Sequence, residues 1–374
     1  MAADQYPVMR NPRKRVIAVV LLAVLSVAAF AIVTWPKPTI IIYTYESFMQ
    51  WGADPDTIDD EILGPFEREH GVDVQIVRLQ TDANGIVSRL VAEAQNPVAD
   101  VVIGIDNILI LQEQALSVLT PYEPENLTLI DPELVNALDP EHYVSPFDVG
   151  IVTIVYSTTE VNETTYPQLS SLTFQDLASP AIASMLVTEN PHLSSPGLSF
   201  LLSEIAVQEK MLGLDWTQWW TDTKNYVDVQ EGWSEAWSVW DTDPGRSLLV
   251  SYGTDPAYSA YYLNATPQVA VAPYVYNDTS YAWMQIEGIG LVKNGPNPTM
   301  GQALIDYFLS VRVQQYIGLN QWMLPVNPEV VLHPAFDYAV HPDDITPLNL
   351  FLTREEIAAN LSSWLTEWDL AMSG

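Results

Sequence analysis

Three stretches decide the fold: TIIIYTY at 39–45, VDVQIVRL at 72–79 and DVVIGI at 100–105. The first, through Ile40, Ile41, Ile42 and Tyr43, is a continuous apolar run, the pattern of a strand buried on both faces. The second alternates apolar and polar positions, and the third is apolar again. Helical patterns separate them. Residues 58–71 end at a glycine, which suits a helix C-cap. Residues 85–96 place Ile86, Leu90, Val91 and Ala94 on one face. A further helix is expected over 108–115. Strand, helix, strand, helix, strand at this spacing predicts a parallel sheet with crossover helices. Ligands of such sheets bind beyond the carboxyl ends of the strands. The loops that matter are therefore 44–51, 80–84 and 104–107.

Further along, Gly150–Tyr156 reads as a strand that opens a second unit. That unit continues through strand 183–188, helices 198–212 and 216–225, strand 226–230, helix 234–241 and strand 247–252. Strand 283–292 returns to the first unit, and helices 298–310, 311–319 and 354–372 complete it. The expected architecture is α/β and two-lobed. Residues 36–149 form the first part of lobe 1, 150–275 form lobe 2, and 276–374 return to lobe 1.

The chain has 374 residues and a formal charge of −33, with only 14 Lys+Arg. Such a surface repels phosphate backbones and attracts cations at long range, so nucleic acid is excluded as a natural partner. The same acidity also suits solubility or a saline habitat. There is no cysteine, which removes disulfides, thiolate metal sites, thiol catalysis and a lipidated N-terminal Cys. Arg10, Arg13, Lys14 and Arg15 form a basic cluster, and from Val16 to Thr34 nothing is charged. Residues 1–15 read as a cytoplasmic basic segment and 16–35 as a transmembrane anchor or signal segment. Everything after Pro36 is then extracytoplasmic. Asn-x-Ser/Thr sequons at Asn126, Asn162, Asn264, Asn277 and Asn360 all lie beyond this segment.

Enzyme signatures are missing. There is no Gly-x-Ser-x-Gly, no His-Glu-x-x-His and no phosphate-cradling glycine loop followed by Lys. The histidines (His70, His142, His192, His333, His341) are scattered. Aromatic residues are the stronger signal: 12 Trp and 18 Tyr, several in loops where strands meet helices. Tyr45 follows the first strand, Trp233 follows Gly232 at a helix start, Tyr252 and Tyr258 bracket Gly-Thr-Asp-Pro-Ala, and Trp322 precedes Met-Leu-Pro. Rings in such loops suit a flat apolar or cationic ligand, or ordinary packing between lobes. Asp82 and Asp106 sit in the loops after the second and third strands, placed either to pair with a ligand or to cap a helix. Ser194 and Ser195 open the helix at 198, a position that can hold a phosphate or serve as a cap.

The chain resembles a known family at several blocks in order. They are Tyr-Thr-Tyr-Glu-Ser-Phe (43–48), Ala-Asp-Val-Val-Ile-Gly-Ile-Asp-Asn (99–107), Ser-Pro-Phe-Asp-Val-Gly (145–150), Ser-Ser-Pro-Gly-Leu (194–198), Gly-Trp-Ser-Glu-Ala (232–236), Ser-Tyr-Gly-Thr-Asp-Pro-Ala-Tyr (251–258) and Gln-Trp-Met-Leu-Pro-Val (321–326). In these it is similar to the thiamine-binding proteins of ABC importers. The resemblance implies a two-lobed type II periplasmic-binding-protein fold, like that of ferric-binding proteins, which closes on its ligand. It implies no cofactor and no enzymatic activity. Its ligand would be thiamine, thiamine monophosphate or thiamine diphosphate, and its partner an ABC transporter permease. Tyr45, Tyr258 and Trp322 are implied as rings enclosing the heterocycles. Asp82, Ser194, Ser195, Trp233 and Tyr252 are implied as polar partners of the hydroxyl or phosphate end and the ring amino group. At 253–255 the chain has Gly-Thr-Asp where the family commonly has Thr-Thr-Ser.

Two relatives of this fold type remain as alternatives. Thiaminase I uses a cysteine nucleophile, which this chain lacks. A ferric-iron-binding protein uses adjacent tyrosines, and Tyr261-Tyr262 is such a pair. A surface domain with no role in transport is the third reading.

Overall fold

The computed structural model describes residues 37–81 and 83–373. The basic N-terminus and the apolar segment at 16–35 lie outside them. Among the described residues, no helix is long and apolar enough to cross a membrane.

The first wing is built as the sequence suggests. Strand β1 (Thr39–Tyr45) pairs in parallel with β2 (Asp73–Leu79) and β3 (Val101–Asp106). Helix α1 (Pro55–His70) links the first two strands. Asp54 caps its start by accepting from the Thr57 N–H, Pro55 fits the first turn, and the Gly71 N–H closes the end on the Glu67 carbonyl at 2.9 Å. Helix α2 (Ala83–Ala92) follows β2. Instead of one helix at 108–115, the chain makes a 3₁₀ turn (Leu109–Leu111) and a short helix (Glu113–Val118).

The centre of the molecule adds antiparallel strands to the parallel sheet expected for the first unit. The run at 150–156 is the second half of one long strand, β4 (Val144–Ser157). Beyond it come β5 (Leu186–Glu189), helix α3 (Ser195–Ile205), helix α4 (Trp216–Thr223), β6 (Asp228–Gln230), helix α5 (Trp233–Thr242), β7 (Leu248–Tyr252) and helix α6 (Asp255–Leu263). Strand β8 (Thr279–Val292) returns antiparallel to both β3 and β4. The strand order is β2-β1-β3-β8-β4-β7-β5-β6. Two parallel wings, β2-β1-β3 and β7-β5-β6, thus flank an antiparallel pair of long strands. Each of these two long strands contributes side chains to both main cores, so the lobes share continuous backbone there.

Helix α7 (Pro298–Phe308) covers the first core, and helix α8 (Arg354–Ser373) ends the chain. Two helices sit away from their expected lobes. Helix α8 packs on the second core: Trp364 and Trp368 join Phe200, Trp219 and Trp220, with the Trp220 and Trp368 rings 5.7 Å apart at 82°. Helix α6 buries Ala257 and Ala260 in the first core. The reason is local in both cases. The apolar stripe of α8 matches the indole surface of α4, and α6 leans on the 3₁₀ turn Pro334–Tyr338.

Candidate functional site

The loop after β1 is fixed by one arginine. Arg78 of β2 makes a two-pronged ion pair with Asp59 of α1, both bonds 2.8 Å, and its Nε donates to the Phe48 carbonyl at 2.8 Å. That clamp holds the turn carrying Ser47 and Trp51. Across from it, α5 begins with Trp233 and presents Trp237 one turn later. From the C-terminal side comes Trp322. It stands in the left-handed region (φ 56°) at the end of the short helix Ile317–Gln321, an uncommon place for a bulky residue. Its ring stacks on Phe336 at 5.8 Å and 4°, and its indole N–H donates to the Trp51 carbonyl at 2.9 Å.

These elements line a cleft, partly open to solvent, of about 780 Å³ with the solvent at its mouth included. Tyr45, Ser194, Ser195, Trp233, Tyr252, Tyr258 and Trp322 all line it. Asp82 lies outside the described residues; its neighbour Ala83 is in the lining. The rings form a continuous set. Trp51 meets Trp233 edge-on at 5.2 Å, Trp233 leans on Trp237 at 5.2 Å, Trp237 meets Tyr258 at 5.8 Å, and Tyr258 meets Trp322 at 5.1 Å.

Three of the expected polar partners already have protein partners. Ser195 donates to Asp106 at 2.5 Å, the Trp233 N–H to Ser251 Oγ at 2.9 Å, and Tyr252 to Gln285 at 3.4 Å. Ser194 is different: its hydroxyl is fully buried on the cleft wall with no hydrogen-bond partner among the described residues. Asp106 itself is a turn cap, accepting from the N–H groups of Ile108 and Leu109 at 2.9 and 2.7 Å.

Beneath the rings lies an acidic floor that the sequence did not reveal. Glu287 of β8 lines the cleft and accepts the Tyr45 hydroxyl at 2.7 Å; Gln321 in turn donates to that hydroxyl. The Tyr45 proton is therefore held firmly. Burial, reinforced by the Glu287 charge, raises its pKa well above the ordinary value, and Tyr252 is raised well above it for the same two reasons. Asp255, at the start of α6, also lines the cleft, and burial pushes its carboxyl up to about 7. Among the described lining residues, none is Lys, Arg or His. The floor is thus built for a cation or a hydrogen-bond donor.

Ser47, Trp51, Trp237, Asp255, Glu287 and Gln321 are lining residues that motif reasoning passed over. Trp51 lay in a loop already marked by the topology. Glu287 carried a subtler signal, a single acid inside the apolar run Ile-Glu-Gly-Ile-Gly-Leu-Val. Tyr261 and Tyr262 stand outside the lining. Tyr262 is 51 % exposed, and its hydroxyl is spent on the Trp51 carbonyl at 2.9 Å.

A cleft walled by rings between two lobes, with shared backbone behind it, is the geometry of a receptor for a small molecule. The family model for bacterial extracellular solute-binding proteins matches residues 46–315. The chain belongs to that family. Among curated relatives of this solute-binding protein is the thiamine-binding periplasmic protein of Escherichia coli (strain K12), 28% identical over 90% of this chain and 94% of the relative. Another is the thiamine-binding periplasmic protein of Brucella suis biovar 1 (strain 1330), 26% identical over 94% and 99%. A solved periplasmic thiamin binding protein superposes with a TM-score of 0.74 at 25% identity, covering 90% of this chain and 97% of that one. The ferric binding protein from Campylobacter jejuni shares the fold, with a TM-score of 0.68 at 17% identity over 89% and 99% of the two chains.

Proposed function

We propose that this solute-binding protein captures thiamine, free or as the monophosphate, between its lobes and hands it to an ABC transporter permease. The observation that carries the reading is the ring of Trp51, Trp233, Trp237, Tyr258 and Trp322 above an acidic floor free of basic side chains among the described lining residues. Thiamine pairs a permanently cationic thiazolium with an aminopyrimidine. Aromatic faces attract the first through cation–π contact, and carboxylates attract both the charge and the amino group. The names of the relatives agree with this ligand. The lack of a described cation in the lining disfavours the diphosphate, whose extra charge would meet Asp255 and Glu287. Ser194 and the start of α3 offer neutral donors for a hydroxyl or a single phosphate. The protein is a carrier, so thiamine leaves it unchanged, and residues 16–35 hold it to the membrane or direct its export.

Calorimetric titration of the purified protein with thiamine and both phosphates, with Trp fluorescence in parallel, tests this. The expected result is micromolar or tighter binding of thiamine. Tyr258→Ala should weaken it by about 10- to 100-fold through loss of one wall of the cage. A folded sample that binds none of the three removes the ligand assignment and leaves the fold intact. Ferric iron would be titrated next, because visible tyrosinate absorption reports it directly.

A further inference from the structure

Strand β8 sets Glu287 in register between Asp106 of β3 and Asp148 of β4. Three carboxyl groups therefore lie abreast on one rung of the sheet, under the cleft. Asp106 is accounted for by Ser195 and two backbone N–H groups. Asp148 is not. It is 0 % exposed, and neither of its oxygens has a hydrogen-bond partner among the described residues. Glu287 is 7 % exposed and is held by the Tyr45 hydroxyl and by Gln285 Nε2 at 2.9 Å.

Among the described residues, the groups facing this pair from the packed elements are acids or neutral hydroxyls and amides. They are Tyr45 from β1, Asp106 from β3, Tyr252 from β7, and Gln321 from the segment before Trp322, with Glu189 of β5 near Tyr252 and Asp255 of α6 on the same cleft wall. Two buried carboxyl groups side by side, with no cation among the described groups around them, resist being ionised together. Burial, with the Glu287 charge, raises the Asp148 pKa well above the ordinary carboxylate value, which favours its protonated form. The cleft above is shaped for a ligand by two further side chains on its wall, the unpartnered Ser194 hydroxyl (0 % exposed) and an unpartnered oxygen of Asp255 (5 % exposed).

We propose that Glu287 is the counter-ion for the ligand's positive charge and that Asp148 stores the proton which keeps the empty cleft electrically tolerable, so that a cationic ligand enters in exchange for that proton. The exchange breaks one O–H bond, at Asp148, and delivers the proton to buffer. The cation then sits above two carboxylates rather than one. This rests on the thiamine reading above and adds to it a specific residue pair and a measurable stoichiometry. The sign follows from linkage: a proton lost on binding means that affinity rises with pH while Asp148 is protonated in the empty protein.

The test is calorimetry of the full chain with thiamine, in buffers of different ionisation heat, between about pH 5 and pH 8. Close to one proton released per thiamine is expected, with affinity rising up to about tenfold per pH unit. Asp148→Asn should bring the release near zero and flatten that slope. Glu287→Gln should abolish the release and weaken thiamine binding at least about tenfold, while a neutral pyrimidine fragment binds both forms alike. Infrared difference spectra should show a protonated carboxyl band lost on thiamine binding in the wild type and absent from Asp148→Asn. Thiamine binding with no proton exchange overturns the proposal and spares the thiamine reading. Release that survives Asp148→Asn and vanishes in Asp255→Asn also overturns it, because the proton then belongs to Asp255. No thiamine binding at all removes both.

Discussion

Asp255 shows how one buried carboxyl sets the chemistry of a site. It brings a carboxyl into a cleft that already holds Glu287. One of its oxygens accepts from Ser251 and the Tyr252 N–H, and burial outweighs both bonds, so its pKa is about 7 against an ordinary 3.8. The stability consequence has a definite sign. The folded state keeps the proton where the unfolded chain has lost it. The contribution is therefore full below about pH 4 and is lost as pH rises through about 7, by at most about 4 kcal/mol for a shift of this size. Asp255→Asn should raise the stability of the ligand-free protein at pH 8 and reduce the fall between pH 5 and pH 8. Urea unfolding at those two pH values measures it, and equal falls in both proteins would reject the assignment. The sequence drew attention to the segment 253–255 but not to a buried acid within it. With 47 Asp+Glu in the chain, an acid beside a helix start reads first as a cap. Only packing shows that it is buried on the cleft wall. Tyr258 and Trp322 were legible for the opposite reason: a large ring in a loop is costly to expose, so its position alone suggests a surface it faces.

At the scale of elements, two strands make room for the cleft with glycines. Gly104 of β3 has φ +105°, and a Cβ there would come within 2.6 Å of the Tyr45 ring. Gly150 of β4 lies under Tyr252 and Met323, at 2.7 and 2.5 Å from where its Cβ would be. The two glycines leave room for the Tyr45 and Tyr252 rings against the strands. Gly104→Ala should cost about 1–3 kcal/mol, from crowding and from a backbone conformation unsuited to alanine. It should also weaken thiamine binding, since Tyr45 must leave its bond to Glu287. Chemical denaturation and titration of the same sample check both effects; a loss of stability with unchanged affinity would mean Tyr45 has no part in binding. Strands and helices of the wings could be read from sequence because their periodicity is local. The antiparallel pairing of β4 with β8 could not, because a continuous apolar run states burial and not its neighbour's direction. Helix α8 illustrates the same limit. Its indoles announce burial, and only the finished fold shows that α4 receives them.

Across the whole molecule, bridges join the two units on either side of a cleft that stays partly open to solvent. Ser195 of α3 reaches Asp106 of β3, Asn84 of α2 donates to the His192 carbonyl at 3.1 Å, and Trp51 touches Trp233, all between the first core and the second unit. Parting of these bridges would widen the mouth of the cleft, and the long strands β4 and β8 are the continuous backbone about which the units would turn. Entry is thus separated from retention: the rings and the acidic floor act on a ligand already inside, whereas the net charge of −33 acts before contact. A field of that sign draws a monovalent cation from beyond the cleft, and salt removes it because the screening length shrinks from about 30 Å at 0.01 M to about 8 Å at 0.15 M. The association rate of thiamine should therefore fall several-fold across that range, while its dissociation rate, set by the opening of the bridges, changes little. Stopped-flow Trp fluorescence separates the two rates. If dissociation changes with salt and association does not, the surface charge plays no part in capture, and the attraction lies wholly within the cleft.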